Sequence, residues 1–196
     1  MASFGVRELY GGAITVELPT TMIDASDIRQ VPDHQEVFLS NTTLTSLIFE
    51  INQYVDQADP AALYFHFTDV IAPPDRLEGE IDAPTQPTIA TESLKDFPTY
   101  LLCGSVVSPE VNKKAPSNLP VEWQQNPQTT DYETKCYQLI VRMKKYSTDF
   151  VVRLNVPLKE LVEKEAIESE EAVARAIMEK IVATLDIKQF SLFGED

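Results

Sequence analysis

Apolar and polar positions alternate near the start of the chain. Ile14, Val16 and Leu18 share one face at period two behind a Gly11-Gly12 kink, so residues 7–18 read as strand, bend, strand, closed by Pro19. Asp24-Ala25-Ser26-Asp27 has the pattern of a capped single helical turn, with Asp24 or Ser26 accepting from free amides. Arg29-Gln30-Val31-Pro32 leaves that turn extended, because a residue before proline is pushed out of the helical region. Gln35 to Ser40 resumes as strand. Leu44, Leu47, Ile48, Ile51 and Val55 recur at helical spacing, which predicts a helix from Asn41 or Thr42 to about Gln57. Asp59-Pro60 opens a second helix over 61–70, with Pro60 at its first position.

Beyond Ala72 the periodicity fades. Pro73, Pro74, Pro84, Pro87 and Pro98 mark an irregular stretch, and Tyr100 to Ser108 is apolar enough for a strand covered on both faces. Residues 109–131, rich in Pro, Asn and Gln and holding Trp123, suggest a long mobile loop. Tyr137, Leu139, Val141 and Met143 alternate, Tyr146-Ser147-Thr148-Asp149 turns, and Phe150, Val152, Leu154 and Val156 alternate back to Pro157: a long antiparallel hairpin. Ser169 caps a last helix, with Glu170 and Glu171 in the favourable first turn and Val173, Ala176, Ile177, Ile181 and Leu185 inward. The tail Phe190-Ser191-Leu192-Phe193 is too apolar to float. The sum is an α+β domain spanning 1–196: an antiparallel sheet of about six strands with two or three helices packed on it.

Composition adds a charge. The net is -15 with a pI near 4.5, which argues against nucleic acid and anionic lipid as direct partners. Residues 1–96 hold four basic and sixteen acidic side chains, a net of -12, against twelve and fifteen, a net of -3, in residues 97–196. An acidic half suits attraction to a basic protein surface, though solubility alone also favours it. No apolar run approaches a membrane span, so no insertion is expected, and the first residues lack a secretory pattern. Two distant cysteines, Cys103 and Cys136, fit reduced thiols in cytosol or nucleus.

Chemistry is sparse. Gly11-Gly12 lacks the Gly-Lys-Ser/Thr ending of a phosphate cradle. Only His34 and His66 could activate Cys103 or Cys136, and a buried structural cysteine explains each thiol better. Asp33, His34 and Glu36 make a poor metal set, and His66 between two phenylalanines suits a satisfied core position. Nothing near Asp33 and Glu36 resembles an apolar pocket that would raise a carboxylate pKa. The reading is a non-enzyme without cofactor or metal. What remains is four carboxylates, Asp24, Asp27, Asp33 and Glu36, within thirteen positions: a solvated connection or an acidic docking surface.

Leu-Tyr-Gly-Gly-Ala-Ile-Thr at 9–15, Ile-Asp-Ala-Ser at 23–26, Arg29 and Val-Pro-Asp-x-Gln-Glu-Val at 31–37 together resemble the Mog family, which binds the small GTPase Ran and promotes release of its guanine nucleotide. Thr148-Asp149, Asn155-Val156-Pro157 and Ser191-Leu192-Phe193 extend the likeness, while about 57–135 follows the family pattern poorly. The resemblance implies a sheet with helices on both faces, as in the extrinsic subunits of photosystem II. It implies a monomer in nucleus and cytoplasm, engaged in nuclear import, with Ran as partner and room for a second Ran-binding protein. It maps the Ran-contacting acidic pair onto Asp33 and Glu36, with Asp24 and Asp27 as weaker candidates in the adjoining turn. The competing reading is an adaptor or trafficking protein that turns the same acidic face to other partners.

Overall fold

The computed structural model describes residues 3–110, 130–158 and 164–194. The body of the loop expected at 109–131, with Trp123, lies outside the described residues; its two ends belong to strands. Strand β1 (Phe4–Leu9) and β2 (Ile14–Pro19) pair antiparallel around a 3-10 turn, Tyr10–Gly12. Tyr10, Gly11 and Gly12 take positive φ (50°, 66° and 88°), the region that glycine enters freely and tyrosine does not.

After β3 (Met22–Asp24) comes the expected capped turn, a 3-10 turn over Ala25–Asp27, and then β4 (Gln35–Ser40). The helix expected from Asn41 to Gln57 is not formed. Residues 46–53 are strand β5 (Ser46–Gln53), paired with β4 on one side and the later strand Thr148–Pro157 on the other. Leu47 and Phe49 are fully buried two residues apart, while Leu44, needed for a helical stripe, is half exposed. Both readings fitted the apolar spacing; two strand neighbours decided between them.

Helix α1 (Asp59–Thr68) forms near the expected place, with Asp59 first and Pro60 second. The irregular stretch contains β6 (Arg76–Glu78) and a bridge between Thr85 and Leu101. The long strands are β7 (Thr99–Glu110), β8 (Thr130–Met143) and β9 (Thr148–Pro157). Helix α2 (Lys164–Thr184) starts five residues ahead of Ser169. Its inner residues are Ala174, Ile177, Met178 and Ile181, whereas Val173 and Ala176 face solvent. Ile177, Ile181 and Leu185 are buried as expected, and Ala174 and Met178, in place of Val173 and Ala176, complete the inner stripe. Last come β10 (Asp186–Ile187), which pairs with β2, and a 3-10 turn, Phe190–Phe193.

The fold is α+β. Seven strands make an antiparallel sheet in the order β3-β4-β5-β9-β8-β7-β6, and β1-β2-β10 make a smaller one. Leu63 and Phe67 of α1 pack with Leu102, Cys136, Ile140 and Val151. Ala174, Ile177 and Ile181 of α2 pack with Leu139, Val152, Leu154 and the small sheet. Gly104 makes room for α1: a Cβ there would stand 2.8 Å from the Phe67 ring.

Candidate functional site

The acidic stretch falls on an open sheet edge. Strand β3 covers β4 only from Phe38 to Ser40, so Gln35 to Val37 pair with β5 and, among the described residues, have no ladder neighbour on their outer side. The chain reaches that edge through a turn in which the Gln35 N–H donates to Pro32 O at 2.9 Å. Pro32 supplies the carbonyl at the turn's first position, and Asp33 stands exposed next to it. No hydrogen bond or ion pair holds the Asp33 or Asp27 carboxylate among the described residues. Asp24 is occupied: its Oδ1 accepts from the Ser26 N–H at 2.8 Å and the Ser26 hydroxyl at 2.7 Å.

Glu36 is half-buried, and Oε1 accepts the Tyr10 N–H at 2.7 Å. No bond is made by Oε2 among the described residues. Among the described residues the four carboxylates thus differ in state: Asp33 and Asp27 are free, Glu36 is engaged through Oε1 and Asp24 through Oδ1.

Tyr10 is the contributor that periodicity missed. Its hydroxyl reaches Phe49 O at 3.0 Å and His34 O at 3.1 Å, one proton between two carbonyls, and its ring meets Phe150 edge-on at 6.4 Å. Burial, and then the Glu36 and Glu50 carboxylates, push the hydroxyl's pKa far up, so it stays a donor. The signal lay in the Leu9–Thr15 block, but a turn motif does not say what its tyrosine touches. Glu50 was hidden by the helix reading. It lies across the strand pair from Gln35, accepts from the side-chain amides of Gln35 and Asn52, and sits 3.7 Å from His34 Nε2.

Groups suited to catalysis do not converge here. Among the described residues no three His, Cys, Asp or Glu side chains are grouped to hold a metal ion. Burial raises the thiol pKa of Cys103, and that of Cys136 to about 11. His66 is buried with Nε2 2.8 Å from Asp149, a satisfied core position. A mostly apolar cavity of about 390 Å³ between α2 and residues 82–87 has Cys103 and Tyr137 in its wall, with Asp82, Arg175 and Glu179.

The sequence matches the family model described as "Ran-interacting Mog1 protein" over residues 7–157. It is 32% identical over 154 residues to the Ran guanine nucleotide release factor of Bos taurus, covering 76% of this chain and 74% of that protein. It is 40% identical over 75 residues to the nuclear import protein MOG1 of Saccharomyces cerevisiae, covering 32% and 34%. The crystal structure of the yeast Ran-binding protein Mog1p superposes on 99% of this chain and 100% of its own, with a TM-score of 0.64 at 24% identity, a likeness of fold.

Proposed function

This chain belongs to the family of Ran-interacting Mog1 proteins, and on that premise we propose that it binds the small GTPase Ran through the edge at Asp33 and Glu36. By doing so it promotes release of Ran's guanine nucleotide and supports nuclear import. The observation that carries this reading is the state of the two carboxylates. Among the described residues Asp33 is exposed and unpaired in the turn that follows Pro32, and Glu36 is fixed through one oxygen with the other free. A carboxylate pair so presented fits lysine or arginine side chains that would otherwise hold nucleotide phosphate. A protein that prefers the nucleotide-free form weakens nucleotide binding by the ratio of its affinities for the two forms. Asp27 adds charge from the neighbouring turn; Asp24 acts through the shape of that turn.

The test is release of a fluorescent guanine nucleotide from Ran with Asp33→Ala and Glu36→Ala variants. Exposed Asp33 should cost below about 1 kcal/mol of binding, as rim charges do, and half-buried Glu36 more, toward the roughly 2–5 kcal/mol of a desolvated pair. Folded variants that bind Ran and release nucleotide like the parent would end the assignment. A pull-down that recovers other proteins and no Ran would favour the adaptor reading instead.

A further inference from the structure

Tyr10 lies in the turn that joins β1 to β2 of the small sheet, yet its polar atoms serve β4 and β5 of the large one. Glu36 and Phe49 face each other across β4 and β5. Tyr10 spans this pair: its N–H donates to the Glu36 side chain, and its hydroxyl reaches the Phe49 carbonyl and touches His34 O, one residue past Asp33. To do so it holds φ at 50°, a conformation that is strained for any residue but glycine. A strained residue of this kind persists where its surroundings over-determine it. Here they do: the ring packs on Phe150, the hydroxyl is tied at one end, and Ala13 N–H closes the turn on Tyr10 O.

We infer that Tyr10 is the positioning residue of the acidic edge: it fixes the Glu36 carboxylate with Oε2 outward and pins the backbone that carries Asp33. This rests on the Ran-binding reading for its consequence, but the positioning is a property of the free protein. Without the tether, Glu36 would have to give up rotamer freedom on binding, and affinity would fall by that amount.

The experiment uses the full chain as parent, Tyr10→Phe, Glu36→Gln, the double variant and Asp33→Asn. Affinity for Ran is measured by titration in each nucleotide state, beside the Tyr10 amide proton and Glu36 carboxyl-carbon shifts of the free protein. Tyr10→Phe keeps the ring and the N–H that holds Glu36 but removes the hydroxyl's hold on the His34 and Phe49 carbonyls, which fixes where that N–H stands. It should weaken Ran binding by about two- to tenfold, the size of one net hydrogen bond. In the Glu36→Gln background the same change should cost less than about twofold, because coupled residues are non-additive. Tyr10→Phe should move the Glu36 carboxyl resonance, and Glu36→Gln should move the Tyr10 amide, an arm that needs no Tyr10 variant. Equal losses in both backgrounds would reduce Tyr10 to a general structural role and overturn the inference, as would unmoved resonances or unchanged affinity in Tyr10→Phe. If Asp33→Asn and Glu36→Gln bind Ran like the parent, the Ran assignment falls, and the two resonances alone decide the positioning.

Discussion

Arg142 and Asp149 face each other across the β8–β9 pair, and their side chains meet at 3.2 Å with both out of water. Each is bonded further. Asp149 Oδ2 accepts the Val55 N–H at 2.9 Å and lies 2.8 Å from His66 Nε2. Arg142 donates to Asp59 and to the carbonyls of Val55 and Gln57, and its guanidinium lies 4.4 Å from the Tyr54 ring centre. The network fastens the connection 54–59 and helix α1 to the hairpin.

Removing Asp149 leaves buried Arg142 with Asp59 as its one carboxylate partner and takes the acceptor from the Val55 N–H and from His66. Asp149→Ala should therefore cost about 3–5 kcal/mol, measured as a shift of the urea midpoint at constant slope. Replacing both residues by leucine should recover part of that loss, since the attraction and the desolvation penalty vanish together. A loss below about 1 kcal/mol in Asp149→Ala would mean that the pair is solvated.

Acid should find the rim of this network first. The Tyr100 hydroxyl's hydrogen bond, and then Arg142, hold the Asp59 carboxyl below its ordinary value despite some burial. Asp186 is lowered likewise, by Lys188 and Ser93. A carboxylate with a depressed folded pKa gives stability above its unfolded value, about 3.9, and loses it as pH falls through the folded value. Melting temperatures of parent and Asp59→Asn should thus differ at pH 6 and converge below about pH 4. A gap that stays constant to pH 2 would show that Asp59 titrates alike in both states.

Much of this architecture was legible in the chain. The β1–β2 bend, the Asp24 cap and the β8–β9 hairpin follow from local alternation, glycine and cap residues, which act over a few positions. What failed depends on distant neighbours. Leu47, Ile48 and Ile51 satisfy helix and strand spacing alike, and only pairing with β4 and β9 settles the matter. The carboxylates were legible as residues but not as states. Asp24 and Asp33 look equivalent along the chain, yet one caps a turn and the other is free. Tyr10 and Glu36 are 26 positions apart, beyond any periodicity. Thr148-Asp149 belonged to the blocks that carried the resemblance, and its aspartate turns out to neutralise a buried arginine.

Burial should make both thiols slow. With the Cys136 pKa pushed up to about 11 and that of Cys103 also raised by burial, little thiolate exists at pH 8. An aromatic disulfide reagent should label the native chain slowly at pH 8 and two thiols at once in denaturant, Cys103 reacting before buried Cys136. Rapid native labelling of Cys136 would require β8 to open on that timescale.

The C-terminal turn should prove to be part of the acidic edge's support. Phe190 stacks on Tyr146 at 5.0 Å and meets Phe97 and Phe193 at 5.9 and 6.3 Å. Just before it, the N–H groups of Lys188 and Gln189 donate to Ala13 O at 2.8 and 3.1 Å. Ala13 closes the Tyr10 turn, so the aromatic cluster anchors that turn from behind. Phe190→Ala should cost about 2–3 kcal/mol, less than a fully buried phenylalanine because Phe190 is half-buried. At this chain length that lowers the melting temperature by about 5–10 °C. The Tyr10 amide should also exchange faster with solvent in Phe190→Ala, while amides in the middle of β8 change only as far as global stability does. A lower melting temperature with Tyr10 exchange accelerated no more than that of β8 would uncouple the tail from the edge.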